Sequence, residues 1–146
     1  MASFIKGFCT EKPTFFEKDI PDLQGKVFIV TGGTSGIGLE LAKILYHADV
    51  LKIYLFSRSE EAGETAKLSI VSSLPPPGVN SRAIPSSNAI RFIHLDLSGL
   101  TIVKEAAREF LETETRLDVI WHNAAIMLAP EGTLLDADPG PDSKTA

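Results

Sequence analysis

Several features are scarce in this sequence, and each scarcity removes a class of function. Lys and Arg together number 14 in 146 residues, they stand scattered, and the net charge is -5. No basic stripe exists to follow a phosphate backbone, so nucleic acid is not an expected partner. The one cysteine, Cys9, has no internal disulfide mate and no metal-ligand pattern around it. No metal is therefore expected, and a reducing, cytoplasmic setting is the simpler expectation. No apolar run approaches the ~18 residues of a membrane span, and the N-terminus lacks a charged stretch followed by a long apolar one. A membrane span and export are not expected. What is present is a chain that is 44% hydrophobic, enough for one domain whose single core buries roughly 70% of the unfolded surface.

Along the chain, residues 1–25 mix aromatics with Lys, Glu and proline in no regular period, which predicts an irregular N-terminal arm. Residues 26–127 carry alternating strand and helix patterns. Val27–Val30 is a short apolar run ending in glycines, as a fully buried strand does. Ile37, Leu41, Ile44 and Leu45 then recur at one helical face. The pattern repeats with a strand over Val50–Phe56 and a helix over Ser59–Val71, with Ser59 as N-cap. Ser72–Asn88, rich in Pro, Ser and Gly, reads as an extended surface loop. A third strand is expected over Ala89–Leu95, with Ile90, Phe92 and His94 alternating against Arg91, Ile93 and Leu95. Val103, Ala106, Ala107, Phe110 and Leu111 form an amphipathic helix, Leu117–Trp121 a fourth strand, and residues 128–146 a coil tail. Four strands alternating with three helices predict an α/β Rossmann-like, doubly wound parallel sheet. In such sheets ligands gather beyond the carboxyl ends of the strands, where strand order reverses.

The loop after the first strand reads TGGTSGIG, Thr31 to Gly38. Its glycines can adopt positive φ and let a pyrophosphate approach the backbone, while the helix that follows offers free N–H groups to an anion. It is not a Walker A loop, because Leu39 rather than Lys follows Gly33-x4-Gly38. It is not a nucleophile elbow, because Ile37 stands two residues after Ser35. A dinucleotide site predicts a ribose-reading residue about 20 positions further on, at the end of the second strand. That window holds Phe56-Ser57-Arg58-Ser59. Arg58, with no acidic residue beside it at the strand end, suits a 2′-phosphate and so favours NADP over NAD, the alternative being an ordinary solvated arginine. After the third strand, Asp96 suits an adenine amino group or, alternatively, helps to cap the next helix. After the fourth, Asn123 followed by small residues suits a cofactor ribose or a plain turn.

Together, TGGTSGIG, Asp96-Leu97 and His122-Asn123-Ala124-Ala125 resemble the marks of the short-chain dehydrogenase/reductases, in order and at suitable spacing from about Lys26 to Met127. The wording looks most like fungal members of the retinol-dehydrogenase-like branch. The resemblance implies an NADP-dependent oxidoreductase of small alcohols or carbonyls, with a place in secondary metabolism. It implies that Gly32, Ser35, Gly36, Ile37 and Gly38 line the pyrophosphate and nicotinamide ribose, with Arg58 at the adenosine phosphate, Asp96 at the adenine and Asn123 near the ribose. The chain departs from the family pattern at His122 and Ala125, where Asn and Gly are usual. The larger departure concerns catalysis, which in this family resembles acid/base work by a Tyr with Lys four residues later, assisted by a Ser. The two tyrosines, Tyr46 and Tyr54, are followed at that spacing by Val50 and Arg58. No catalytic residue is therefore assigned, and the chain is expected to be a truncated, cofactor-binding half. A non-catalytic NADP-binding remnant or interaction module is the alternative. Dimerisation is not assumed, and the fourth strand is expected to present an unpaired edge.

Overall fold

A computed structural model describes residues 19–75 and 87–125 together with Thr14 and Phe16. Most of the N-terminal arm, the middle of the Ser72–Asn88 loop and the coil tail lie outside the described residues. So does Cys9.

Four strands, β1 (Val27–Thr31), β2 (Lys52–Ser57), β3 (Ile90–His94) and β4 (Val119–Trp121), form one parallel sheet in the order β3-β2-β1-β4. Helices α1 (Gly36–His47), α2 (Glu60–Val71) and α3 (Leu100–Thr113) connect them. This is the Rossmann-like α/β fold that the strand-helix alternation predicts.

The side-chain period of a strand, applied to β1 and β2, builds two cores. Phe28, Val30, Ile53 and Leu55 point to one face and pack with Ala42, Leu45 and Tyr46 of α1 and Ala66 and Ile70 of α2. Val27, Ile29, Tyr54 and Phe56 point to the other and meet Ala106 and Phe110 of α3. Strands covered on both faces need no polar alternation, which is why β1 and β2 read as continuous apolar runs.

Several boundaries and faces differ from the sequence expectation. The buried face of α1 is Gly38, Ala42, Leu45, Tyr46 and His47; of the expected stripe Leu45 is buried and Leu41 packs against the core, whereas Ile37, at its start, is 79% exposed. Close packing of Gly38 against the β1 loop sets the helix rotation, and the larger side chain one residue earlier is turned outward. The second strand begins at Lys52; Val50 instead forms an isolated bridge to Gln24. His94 is exposed, although it shares a period with Ile90 and Phe92. β4 starts at Val119, because Asp118 is drawn to the foot of β1: its Oδ2 accepts from the Val27 N–H at 2.9 Å, and its Oδ1 accepts from Lys26 Nζ and Arg116. The Arg116 guanidinium first, then the Val27 N–H, hold the Asp118 carboxyl well below the usual carboxylate range.

The helix ends follow local chemistry. The Ser59 hydroxyl accepts from the Ala62 N–H at 3.2 Å, the N-cap that the sequence predicts for α2. At the foot of the sheet, Glu114 after α3 accepts from Lys52 and, at 2.7 Å, from the Tyr54 hydroxyl. Burial raises the pKa of Tyr54 above its ordinary value, and the phenol serves here as a structural donor. The other tyrosine, Tyr46, is buried in the α1–α2 core with its ring edge-on to His47.

Candidate functional site

Strand order reverses between β1, whose successor β2 lies on one side, and β4, which lies on the other. The TGGTSGIG loop and Asn123 flank this reversal.

The loop is built by positive φ and by the absence of side chains. Gly32 has φ 65° and Gly36 has φ 53°, both in the left-handed region that favours glycine. Gly38 is needed for a different reason. A Cβ there would lie 2.5 Å from the Gly32 carbonyl oxygen and 2.6 Å from Asn123 Nδ2, so α1 can approach the loop this closely only without one. At Gly36 a Cβ would meet nothing within 4 Å: the loop opens outward at that point. Ser35 is the N-cap of α1, with extended backbone and no side-chain capping bond. The first N–H groups of a helix have no intrahelical acceptor, and the capping hydroxyl does not occupy them here. Ile37 stands exposed at the same mouth.

Asn123 is bound directly into this loop. Its Nδ2 donates to the Thr31 carbonyl at 3.2 Å and to the Gly32 carbonyl at 3.4 Å. The side chain that sequence reasoning passed over as a site residue is Thr31, 4% exposed. Its Oγ1 accepts from the N–H groups of Asn123 at 3.0 Å and Ala124 at 3.1 Å, and donates to the Trp121 carbonyl at 3.4 Å. Thr31 thereby ties the end of β4 to the end of β1 and sets the position of Asn123. Its signal in the sequence was a hydroxyl residue closing an otherwise apolar strand just before glycine.

The ends of β2 and β3 complete the rim. The Thr34 and Ser57 hydroxyls share a hydrogen bond of 2.9 Å, joining the loop to the end of β2. Arg58 is exposed beyond it. Asp96 Oδ1 accepts from the Ser98 N–H at 2.9 Å and the Ser98 hydroxyl at 2.8 Å, forming a local turn ahead of α3, whose N-cap is Gly99. Asp96 therefore shapes the turn into α3, while Gly99 takes the N-cap position. The Ser98 N–H, then its hydroxyl, lower the Asp96 pKa, and the positive charge of Arg58 adds to this. Gly32, Gly38 and Asn123 are thus in contact, Arg58 and Asp96 feel each other across the rim, and Ser35, Gly36 and Ile37 form the open mouth.

Among the described residues no group of three or more His, Cys, Asp or Glu could hold a metal ion, and no helix is long and apolar enough to cross a membrane.

A family model described as short chain dehydrogenase matches residues 26–139. A short-chain dehydrogenase/reductase of the fungus Pestalotiopsis fici is 43% identical over 119 residues, which cover 80% of this chain and 34% of the relative. A short chain dehydrogenase from Bacillus anthracis has a similar structure, with a TM-score of 0.55 at 26% identity, covering 72% of this chain and 37% of that one. The C-domain of a bacterial malonyl-CoA reductase, solved with NADP, gives a TM-score of 0.59 at 27% identity, covering 76% of this chain and 16% of that one. The chain spans about a third of the length of the curated relatives it matches.

Proposed function

This chain belongs to the short-chain dehydrogenase family, and from that premise we propose that it is the NADP-binding portion of an oxidoreductase acting on small alcohols or carbonyls. The carrying observation is the fit of the loop to a dinucleotide phosphate. Two glycines hold left-handed backbone, a third admits α1, and the N-terminus of α1 faces open space with its Ser35 cap uncommitted. An anion placed there meets N–H donors and the positive end of the helix. Gly32, Ser35, Gly36, Ile37 and Gly38 line the pyrophosphate and the adjoining ribose, and Asn123 keeps the loop in shape through the Thr31 and Gly32 carbonyls. Asp96 faces the adenine with the oxygen that Ser98 does not use.

Arg58 sets the preference for NADP. It follows β2 with Ser57 before it and no carboxylate at the strand end, and a guanidinium pairs with a 2′-phosphate where a carboxylate would repel it. The NADP found with the bacterial malonyl-CoA reductase domain supports this reading. When bound, the nicotinamide ring supplies the hydride-carrying group. Within residues 26–127, the dinucleotide-binding unit of this proposal, neither tyrosine has a lysine four positions on. Tyr54 is committed to Glu114 and Tyr46 is buried in the α1–α2 core. The chain therefore holds cofactor and, by itself, transfers no hydride. A role in secondary metabolism is part of this proposal, as the family resemblance implies, and the single cysteine is consistent with the cytoplasm.

Calorimetric titration of the purified chain with NADPH and NADH tests this. NADPH should bind at least about tenfold more tightly than NADH, and Arg58→Gln should remove most of that difference, since a charge-assisted pair contributes about 1.5–3 kcal/mol. A panel of aldehydes added with NADPH should give no loss of nicotinamide absorbance. Equal affinity for the two nucleotides would sink the NADP assignment, and steady turnover would sink the claim of catalytic incompleteness.

A further inference from the structure

The glycine loop and the end of β2 meet at three successive points. The Gly32 N–H donates to the Phe56 carbonyl at 2.8 Å. Gly33 lies so close to β2 that a Cβ there would stand 2.8 Å from Leu55 Cδ2. The Thr34 and Ser57 hydroxyls then share their hydrogen bond of 2.9 Å. Past this bond the loop parts from β2: Thr34 and Ser57 are half-buried, whereas Ser35, Gly36 and Ile37 are exposed. Arg58, which follows Ser57, is exposed as well. The hydroxyl pair is thus the joint nearest to two exposed segments, the mouth of the loop on one side and the turn that carries the guanidinium on the other.

Ser57 closes the face on which Ile53 and Leu55 pack against α1 and α2. A hydroxyl at this last position finds a partner in the loop instead of in the core. The Ser57 carbonyl accepts from the Leu95 N–H at 2.9 Å, so the residue is fixed from β3 too. Arg58 therefore leaves the sheet from a root that is held on both sides. Ligand chemistry makes that root matter. In a phosphorylated dinucleotide the pyrophosphate and the 2′-phosphate hang from one ribose, so the ligand itself sets their separation. The N–H donors at the head of α1 and the Arg58 guanidinium must match it. A guanidinium on a fixed root gives up less freedom in doing so than one on a drifting root.

We propose that Thr34 and Ser57 are positioning residues for cofactor discrimination: their bond fixes the distance from the open head of α1 to Arg58 and so selects a nucleotide that carries a 2′-phosphate. The proposal deepens the NADP reading and rests on it. NADH engages the head of α1 and is indifferent to where Arg58 stands. Breaking the bond therefore acts on NADPH more strongly than on NADH. Each hydroxyl works through the other and through the backbone that it holds, without touching the nucleotide.

The test is calorimetric titration with NADPH and with NADH of the full chain and of Ser57→Ala, Thr34→Val, the double variant and Ser57→Thr, with circular dichroism to check that each is folded. Each of the two deletions of a hydroxyl is expected to cut the preference for NADPH over NADH by about three- to tenfold, the scale of lost preorganisation. The double variant should lose no more than either single one, since one bond can be broken only once. Ser57→Thr, which keeps a hydroxyl, should keep the preference. A merely structural role would weaken both nucleotides alike and leave their ratio unchanged. The proposal is overturned if the ratio survives Ser57→Ala or Thr34→Val, if Ser57→Thr loses as much as Ser57→Ala, or if the two losses multiply in the double variant, the mark of hydroxyls acting on the nucleotide separately. Equal binding of the two nucleotides by the unaltered chain overturns the NADP reading and this proposal with it. A preference that Arg58→Gln abolishes and Ser57→Ala leaves intact overturns this proposal alone.

Discussion

The two faces of the sheet are made of equally apolar strands and are covered to different extents. On one, α1 and α2 lie side by side and close a core in which Val30, Ala42, Ile53, Leu55 and Ile70 are fully buried. On the other, α3 is the one covering helix among the described residues, and Ile120 stays 43% exposed although it pairs with the buried Ile29 in the next strand. The contrast teaches that residue type decides which positions seek burial, whereas the number of covering elements decides which of them obtain it. Val-Ile-Trp in β4 is as apolar as Val-Phe-Ile-Val in β1 and differs from it only in its neighbours.

The largest effect that sharpens this comparison is expected from truncating one isoleucine on each face. Ile53→Ala should cost about 2–5 kcal/mol, the range for a large-to-small change in a closed core. Ile120→Ala should cost under about 0.5 kcal/mol, as for a surface site. Urea denaturation of the two variants measures both, and an equal loss would mean that β4 is covered in solution and that the contrast between the faces is wrong.

A smaller effect is expected where the closed face runs up into the loop. Gly38→Ala brings a methyl to 2.5 Å from the Gly32 carbonyl oxygen, which is backbone and cannot rotate away. A loss of about 1–3 kcal/mol is expected, as for overpacking, together with weakened NADPH binding because the loop must shift. A variant with unchanged stability and unchanged nucleotide affinity would show that the α1–β1 contact is looser than described.

The smallest effect concerns pH. His47 is buried at the end of α1, and its Nε2 meets the Ser73 hydroxyl after α2 at 2.9 Å. The Ser73 hydroxyl donates to the Ile70 carbonyl at 2.6 Å and therefore accepts from the Nε2–H of His47. Burial lowers the His47 pKa below its ordinary 6.5, with the Ser73 contact opposing. The unfolded imidazole takes up a proton as pH falls through 6.5 while the folded one resists, so the unfolded state binds more protons and stability declines on acidification. The contribution of His47 is complete above pH 6.5 and is lost below it. Thermal melts at pH 7.5 and 5.5 should show a lower midpoint at 5.5, and His47→Gln should reduce that difference; an unchanged slope would mean the imidazole is not closed off from water.

Much of the fold was legible because its periods are local. The short apolar strands, the Ser59 cap and the glycine loop each follow from a few neighbouring residues, and they give the order of elements without reference to anything distant. Less legible were the details that depend on pairs far apart in the chain. The buried face of α1 turned on the contact of Gly38 with Gly32 and Asn123, which a helical wheel does not contain. Thr31 became a site residue only when β4 arrived beside β1, 90 residues later. Asp96 was left between two roles because the letters do not show that Ser98 takes one of its oxygens.

The sequence by itself determined the strand-helix alternation, the glycine loop and the family marks, since each is written in short-range spacing and in residues whose backbone freedom or side-chain chemistry is intrinsic. The tertiary structure decided which apolar residues are covered and how Thr31 and Asn123 lock the loop. Those outcomes depend on which surfaces meet, and burial is a property of the meeting and not of the residue.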